Sequence, residues 1–220
     1  MSATPAHPPS TVPPEPGQPD PSGTDADLPA RIARCRICAG RFAATATAHS
    51  PNPVVWFRPG ARIVIASQAP GLQVHKANTP FWDRSGTRLR EWLGIDEAVF
   101  YDRERVSILP SAFCFPGYNA AGSDLPPPPV CAATWHADAL AYIGTPRLRV
   151  LVGGYAHRLH LGLRQPVTRT VMNWREHAPG TFVLPHPSWR NNAWLKANPW
   201  FAAELLPELR QAVRRALEPD

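Results

Sequence analysis

Lysine is almost absent from this chain, and so are long apolar stretches. Only Lys76 and Lys196 are lysines among the 23 basic residues, and all the others are arginine. No apolar run approaches the roughly 18 residues that a membrane-spanning helix needs, so we expect no membrane contact. The first residues also lack the basic segment and apolar stretch of a secretory signal, which leads us to expect a cytoplasmic protein.

The first 29 residues contain neither lysine nor arginine and very few apolar side chains. They hold nine prolines and four acidic residues, namely Glu15, Asp20, Asp25 and Asp27. Such a segment cannot bury enough surface to offset the entropy lost on ordering. We therefore predict a disordered proline-rich tail over residues 1–29 and one folded domain over residues 30–220.

The folded part is strongly basic. All 23 basic residues lie from Arg31 onward, whereas four of the 17 acidic residues lie in the tail, which leaves 13 and a net charge of about +10. A domain this basic is typical of proteins with polyanionic partners. Arginine's planar fork suits phosphate, although GC-rich coding also enriches arginine, so composition alone is weak evidence.

The four cysteines form two pairs, and none is left over. Cys35 and Cys38 are separated by two residues, and Cys114 and Cys131 by 16. Four thiolates can complete a site for zinc or for a [4Fe–4S] cluster, and the spacing does not distinguish the two. The alternative is two buried structural cysteines beside a chance C-x-x-C. A disulfide framework is disfavoured because a chain of this size needs no such staples.

Short apolar runs alternate with stretches of helical periodicity. The runs cover residues 62–66, 106–109, 148–152 and 181–184. The helical stretches cover residues 84–93, 133–143, 154–161 and about 200–217. This alternation predicts an α/β fold, a three-layer α/β/α arrangement around a mainly parallel four-stranded sheet. Ligands of such sheets bind beyond the carboxyl ends of the strands, where the segments after residues 66 and 184 should lie.

Those two segments resemble the site motifs of the uracil-DNA glycosylase superfamily. The first is Ser67-Gln68-Ala69-Pro70-Gly71 with Thr79-Pro80-Phe81-Trp82-Asp83-Arg84-Ser85-Gly86 after it, and the second is His186-Pro187-Ser188. Together with the cysteine spacing they are most similar to family 4, the iron–sulfur glycosylases of bacteria and archaea. The resemblance covers about residues 33–205. It implies a uracil-DNA glycosylase-like fold, DNA as the partner, and a monomer.

The resemblance also implies a role for each motif residue. Cleaving an N-glycosidic bond leaves negative charge on the base and positive charge on the sugar, and the base must first leave the stack. The implied catalytic residues are His186, Gln68 and Asp83, with His186 donating a hydrogen bond to the departing base. The implied base-binding residues are Phe81, Gly71 and Ser111. The implied DNA-binding residues are Ser188, Arg190 and Asn191. The implied ligands of a [4Fe–4S] cluster, with zinc as the alternative, are Cys35, Cys38, Cys114 and Cys131.

The chain departs from the family 4 pattern at three places in the motifs. Gln68 stands where family 4 usually has Glu, and Val74-His75 stands where it has an acidic pair. No motif carboxylate is therefore at hand to activate water, and Asp83 is the nearest acid in sequence. Pro110 stands where family 4 has the asparagine that recognises uracil, and Ser111 or a backbone group would have to substitute. The preference for uracil over another deaminated base is therefore open.

Simpler roles compete with these assignments. Phe81 could be plain core, His186 structural and Arg190 a solvated loop residue. We expect Trp189, Trp194 and Trp200 to pack the last loop onto the closing helix. The sequence thus favours a glycosylase for uracil or a related deaminated base in DNA. The alternatives are a nucleic-acid-binding protein that kept the fold but lost turnover, and a hydrolase of a small nucleotide-like substrate.

Overall fold

The computed structural model of the protein describes residues 28–219, and it has a four-stranded parallel sheet at its centre. The strands lie in the order β2-β1-β3-β4, and all three pairings are parallel. Their bounds are β1 Ile63–Ser67, β2 Val106–Pro110, β3 Leu148–Val152 and β4 Thr181–Leu184. The predicted fold class is confirmed, and each predicted strand lies within one residue of its observed bounds.

The strands are buried on both faces. Every residue of β1, β2 and β4 is buried, and in β3 Arg149 is the exception. Parallel sheets need helices on both faces, which explains why these strands are continuous apolar runs without a polar alternation. The free edge of β2 is covered in part by the chain at Trp56, whose carbonyl accepts a hydrogen bond from the N–H of Ile108.

Helices cover the sheet on either side. Their bounds are α1 Leu28–Ala33, α2 Ala39–Ala43, α3 Leu72–Ala77, α4 Arg84–Leu93, α5 Glu97–Tyr101, α6 Pro129–Ile143, α7 Gly153–Leu161, α8 Val167–Met172, α9 Asn192–Ala197 and α10 Leu206–Leu217. A π-helical turn, Phe201–Leu205, leads directly into α10. The four predicted helical stretches correspond to α4, α6, α7 and the π-turn with α10, and α6 begins four residues earlier than predicted.

Two apolar clusters make up the core. The larger one joins the sheet to α4 and α10 and includes Leu89, Phe182 and Leu209. The smaller one joins the sheet to α1 and α6 and includes Ile32 and Trp135. Burying each such side chain contributes about 1.5–3 kcal/mol, so the two clusters hold the strand ends in one arrangement.

The folded domain begins two residues before the predicted boundary. Leu28 is the first residue of α1, and it is 2% exposed because it packs in the smaller cluster. Residues 28 and 29 therefore belong to the domain and not to the tail. The rest of the predicted disordered tail, residues 1–27, lies outside the described residues. Within residues 28–219 no helix is long and apolar enough to cross a membrane.

Candidate active site

A cleft of about 800 Å³ opens at the carboxyl ends of the strands, where the sequence predicts a site. Its walls come from the turn after β1, the segment before α4, the loop after β2 and the loop after β4. The predicted site residues that line it are Gln68, Gly71, Phe81, Asp83, His186, Ser188, Arg190 and Asn191. The two motifs, more than 100 positions apart in sequence, therefore face one another across a single cavity.

His186 lies two residues after the end of β4, and two hydrogen bonds from the following loop hold it. The backbone N–H of Ser188 donates to its Nδ1 at 3.2 Å, and the side-chain amide of Asn191 donates to its carbonyl at 2.6 Å. Gly153 lies beside the ring and the backbone of His186, so the wall behind them carries no side chain. Because Nδ1 accepts a hydrogen bond, the neutral ring carries its proton on Nε2, and that atom is the hydrogen-bond donor of His186.

Burial lowers the pKa of His186 below its ordinary value. The nearby carboxylates of Asp83 and Asp124 oppose that shift by raising the pKa, and Arg190 lowers it. The net direction is downward, so the neutral ring dominates at neutral pH. A neutral imidazole donating from Nε2 is suited to stabilise negative charge without transferring a full proton.

Phe81 occupies a strained backbone conformation that its neighbours impose. Its φ is +54°, in the left-handed region that residues other than glycine rarely adopt, at a cost of about 1–3 kcal/mol. The hydroxyl of Tyr101 donates toward the carbonyls of Pro80 at 3.1 Å and Phe81 at 3.3 Å. Gly86 lets the first turn of α4 approach the Phe81 carbonyl closely. Such strain is typical of functional positions.

The ring of Phe81 belongs to both the core and the cleft. The residue is only 9% exposed, packs edge-on against Phe100 at 6.0 Å between ring centroids, and lines the cavity. The simpler reading of Phe81 as a core residue is thus compatible with a role in the site. Phe100 holds the ring in the core, and only a small exposed part of Phe81 borders the cleft.

Asp83 caps a helix and also lines the cleft. It is the N-cap of α4, and its Oδ1 accepts a hydrogen bond from the N–H of Gly86 at 3.0 Å. An N-cap of this kind stabilises a helix by about 1 kcal/mol. One carboxylate oxygen is therefore engaged, and only the other remains for chemistry in the cleft.

Ser111 is not part of the cleft wall, contrary to the prediction. Its hydroxyl donates to the Ser67 carbonyl at 2.8 Å, and its N–H donates to the same carbonyl at 2.9 Å. These bonds tie the end of β2 to the end of β1 and bury the serine, which is 6% exposed. The adjacent Pro110 lines the cleft in its place.

The loop after His186 combines fixed and free side chains. The hydroxyl of Ser188 accepts from the N–H of Arg190 at 3.3 Å, and its carbonyl accepts from Arg88 at 3.1 Å. Arg190 is exposed. Trp189 is 66% exposed and lines the cleft, so the prediction that it packs onto the closing helix is wrong. Trp194 and Trp200 do pack there, against Phe201.

Asp124 is a cleft residue that the sequence did not reveal. It lies in a hairpin between residues 117 and 125, where the Asn119 side chain accepts from the N–H groups of Ala121 and Ser123. Gly117 packs tightly on Thr45, which holds the base of the hairpin against the segment after α2. No local pattern marks this aspartate, because its place beside His186 depends on how the long loop folds back.

All four cysteines line one small apolar cavity beside α1 and α6, together with Ile37, Val130 and Trp135. None is in a disulfide. Burial raises the pKa of Cys131 to about 11 and that of Cys114 further. The neighbouring Cys35 and Cys38 also raise both pKa values. Phe113 directs its N–H at the sulfur of Cys131 at 3.4 Å. The two cysteine pairs, distant in sequence, therefore lie together at one cavity, as predicted.

Among residues 28–219 no three His, Cys, Asp or Glu side chains lie close enough together to hold a single ion. A zinc ion would need its thiolates about 2.3 Å from the metal, all at one centre. A [4Fe–4S] cluster would take one thiolate on each iron, and four cysteines are the donor set of either group.

The sequence family model of the uracil DNA glycosylase superfamily matches residues 54–210. The protein belongs to this superfamily. The matched range contains the whole sheet and every predicted site residue of the cleft. Because it begins at residue 54, it contains Cys114 and Cys131 but neither Cys35 nor Cys38. Membership of this superfamily thus rests on the sheet and the cleft.

Proposed function

We propose that the protein is a DNA glycosylase that hydrolyses the N-glycosidic bond of uracil or a related deaminated base in DNA. The observation that carries this proposal is the presence of a rigid neutral donor, Nε2–H of His186, and the aromatic ring of Phe81 in one cleft. Superfamily membership supports the reaction class, and the basic charge supports DNA as the substrate.

The chemistry follows from where charge develops. The flipped base lies against Phe81, and the C1′–N bond breaks with its electron pair going to the base. His186 stabilises the resulting anion through Nε2–H, which is worth about 10²–10³ in rate for such a donor. Water then forms a bond to C1′, and the proton that it loses balances the charge on the base.

The carboxylates that serve this step are Asp83 and Asp124 in our proposal. Both line the cleft with His186, and both raise its pKa. A negative charge there stabilises the positive sugar and can take the proton of the attacking water. Gln68, in the turn after β1, contributes an amide that can orient that water but cannot deprotonate it.

We further propose that Cys35, Cys38, Cys114 and Cys131 hold a [4Fe–4S] cluster, as in family 4. The cavity that all four cysteines line supports a four-thiolate site, and the resemblance to family 4 favours the cluster, with zinc as the alternative. When bound, the group would supply no chemistry to the cleft. Its thiolate ligands would close the base of the loop between Cys114 and Cys131, which carries Asp124.

The test is release of the base from oligonucleotides containing uracil, hypoxanthine or xanthine, with abasic sites detected by alkaline cleavage. His186→Ala should slow single-turnover release by about 10²–10³ and leave DNA binding nearly unchanged. His177→Ala, a histidine outside the cleft lining, is the matched control and should leave the rate unchanged. Equal rates for the two variants would reject the assigned role of His186.

The alternative is a nucleic-acid-binding protein without turnover. The absence of an acid at Gln68 and of an amide at Pro110, both in the cleft lining, favours it. A wild-type protein that binds DNA but releases no base from any of the three substrates would establish this alternative.

A further inference from the structure

The segment after α2 contains a strained residue directly before a histidine. Ala48 has a φ of +41°, in the left-handed region that residues other than glycine rarely adopt, and its N–H donates to the Thr45 carbonyl at 3.0 Å. Strain of this kind persists only where the surroundings impose it, and it is typical of functional positions. The next residue, His49, is half-buried and does not line the cleft.

The ring of His49 contacts three separate segments of the chain. It stacks on Phe42 of α2, with 5.0 Å between the ring centroids and 13° between the planes. It meets His75 of α3 edge-on at 5.2 Å and Phe115 of the loop after β2 at 5.0 Å. Because α3 follows Gly71 of the cleft wall, and the loop after β2 forms another wall, His49 lies where two walls of the cleft are anchored.

Both ring nitrogens of His49 are engaged in hydrogen bonds. Nε2 lies 2.9 Å from the Phe115 carbonyl, and Nδ1 lies 2.9 Å from the hydroxyl of Thr47. A carbonyl can only accept, so Nε2 donates, and in the neutral ring Nδ1 accepts from Thr47. The ring therefore has one orientation, and its N–H holds the loop after β2 near its start.

A short series of contacts leads from Phe115 to the cleft. The ring of Phe115 packs edge-on against Tyr118 at 5.1 Å between centroids. The carbonyl of Tyr118 accepts from the N–H of Ala46 at 3.3 Å, so the segment that carries His49 also holds this residue. Tyr118 in turn pairs with Asp124 across the hairpin in an antiparallel bridge, and Asp124 lines the cleft.

We infer that His49 is a positioning residue that holds Asp124 in the cleft, by fixing the Phe115 carbonyl at the base of the hairpin. The inference rests on the proposed glycosylase function, in which Asp124 serves the sugar and the attacking water. His49 touches neither, and it acts through Phe115 and Tyr118.

The experiment measures the titration midpoint of His186 by nitrogen-15 NMR in His49→Ala, in Asp124→Asn and in the double variant. The charged groups that shift the pKa of His186 are Asp83, Asp124 and Arg190. Asp124 raises this pKa, so the midpoint falls when its carboxylate moves away. We expect His49→Ala to lower the midpoint as Asp124→Asn does, and to lower it no further in the double variant.

Single-turnover release of uracil gives a second readout. His49→Ala should slow release by up to about 10², the cost of displacing a group at a site by about 1 Å. His49→Gln keeps an N–H for the Phe115 carbonyl and should recover most of the rate. Ile143→Val, a core change in the smaller apolar cluster, controls for lost stability and should leave both the midpoint and the rate unchanged.

The outcomes separate this inference from the function beneath it. A folded His49→Ala protein, checked by circular dichroism, with a wild-type midpoint would overturn the inference, as would shifts that add in the double variant. A midpoint that rises would mean that the hairpin shields His186 from water instead of supplying a charge, and it would overturn the inference too. A wild-type protein that releases no base rejects the glycosylase function, whereas the midpoints still decide whether His49 positions Asp124.

Discussion

The carbonyl of Phe81 lies so close to Gly86 that no Cβ atom could be accommodated on that glycine. The contact joins the residue proposed to hold the base to the first turn of α4. The hydroxyl of Tyr101 donates a hydrogen bond to the same carbonyl. The left-handed backbone of Phe81 is therefore set by two neighbours, and the orientation of its ring depends on both.

Gly86→Ala should displace Phe81 and damage both stability and activity. Overpacking of this kind costs about 1–3 kcal/mol of unfolding free energy, and a misplacement of about 1 Å at a site can cost about 10² in rate. Urea unfolding and single-turnover release of uracil measure the two effects. Gly180→Ala is the matched control, because a Cβ there meets nothing within contact distance. A Gly86→Ala protein as active as that control would contradict the role of this contact.

The second prediction concerns the titration of His186. Its pKa is lowered by burial, so base release should hold steady as the pH falls through the ordinary histidine range and decline only below it. At that point Nδ1 takes a proton and loses its hydrogen bond from Ser188. Asp124→Asn removes a charge that raises the pKa and should move the decline to still lower pH.

Nitrogen-15 NMR of the histidine ring follows this titration directly. Asp138→Asn, an exposed aspartate on α6, should leave the midpoint where it is in the wild-type protein. A midpoint at or above the ordinary histidine value would be incompatible with a neutral donor. An unchanged midpoint in Asp124→Asn would show that this carboxylate does not act on His186.

The third prediction concerns the cysteines. Protein purified without oxygen should be brown, with broad visible absorbance and about four iron atoms per chain. Replacing any of Cys35, Cys38, Cys114 or Cys131 by serine should abolish the colour and lower stability. Cys114→Ser should also slow base release, because Asp124 lies on the loop that Cys114 begins. Stoichiometric zinc without iron would reject the cluster while leaving a four-cysteine site.

The fourth prediction concerns phosphate contacts. DNA affinity should fall with salt by about 0.9 log unit per phosphate contact for each tenfold increase. Arg190→Ala should reduce that slope by about one contact, since Arg190 is exposed beside the cleft. Arg58→Ala, which breaks a surface pair with Glu104, serves as the control and should not change it. A DNA affinity that does not change with ionic strength would favour a small nucleotide-like substrate instead.

Local pattern was sufficient for the sheet and for the two motifs. The four strands are predictable because a strand buried on both faces must be a continuous apolar run, and β4 was predicted with its observed bounds. The carboxyl ends of parallel strands share one edge, so the cleft and the presence of His186, Phe81 and Gln68 in it follow from the order of the elements. The position of the site and its motif residues could thus be inferred from the sequence, before the geometry of the site was known.

Tertiary structure alone decided what each of these residues is free to do. Ser111 does not line the cleft because its donors bond to the Ser67 carbonyl. One carboxylate oxygen of Asp83 is engaged because the residue caps α4. Asp124 joins the site only because a hairpin anchored on Thr45 folds back over the cleft. Strand and helix periodicity depends on neighbours along the chain, whereas these hydrogen bonds and contacts depend on which segments the packed core brings together.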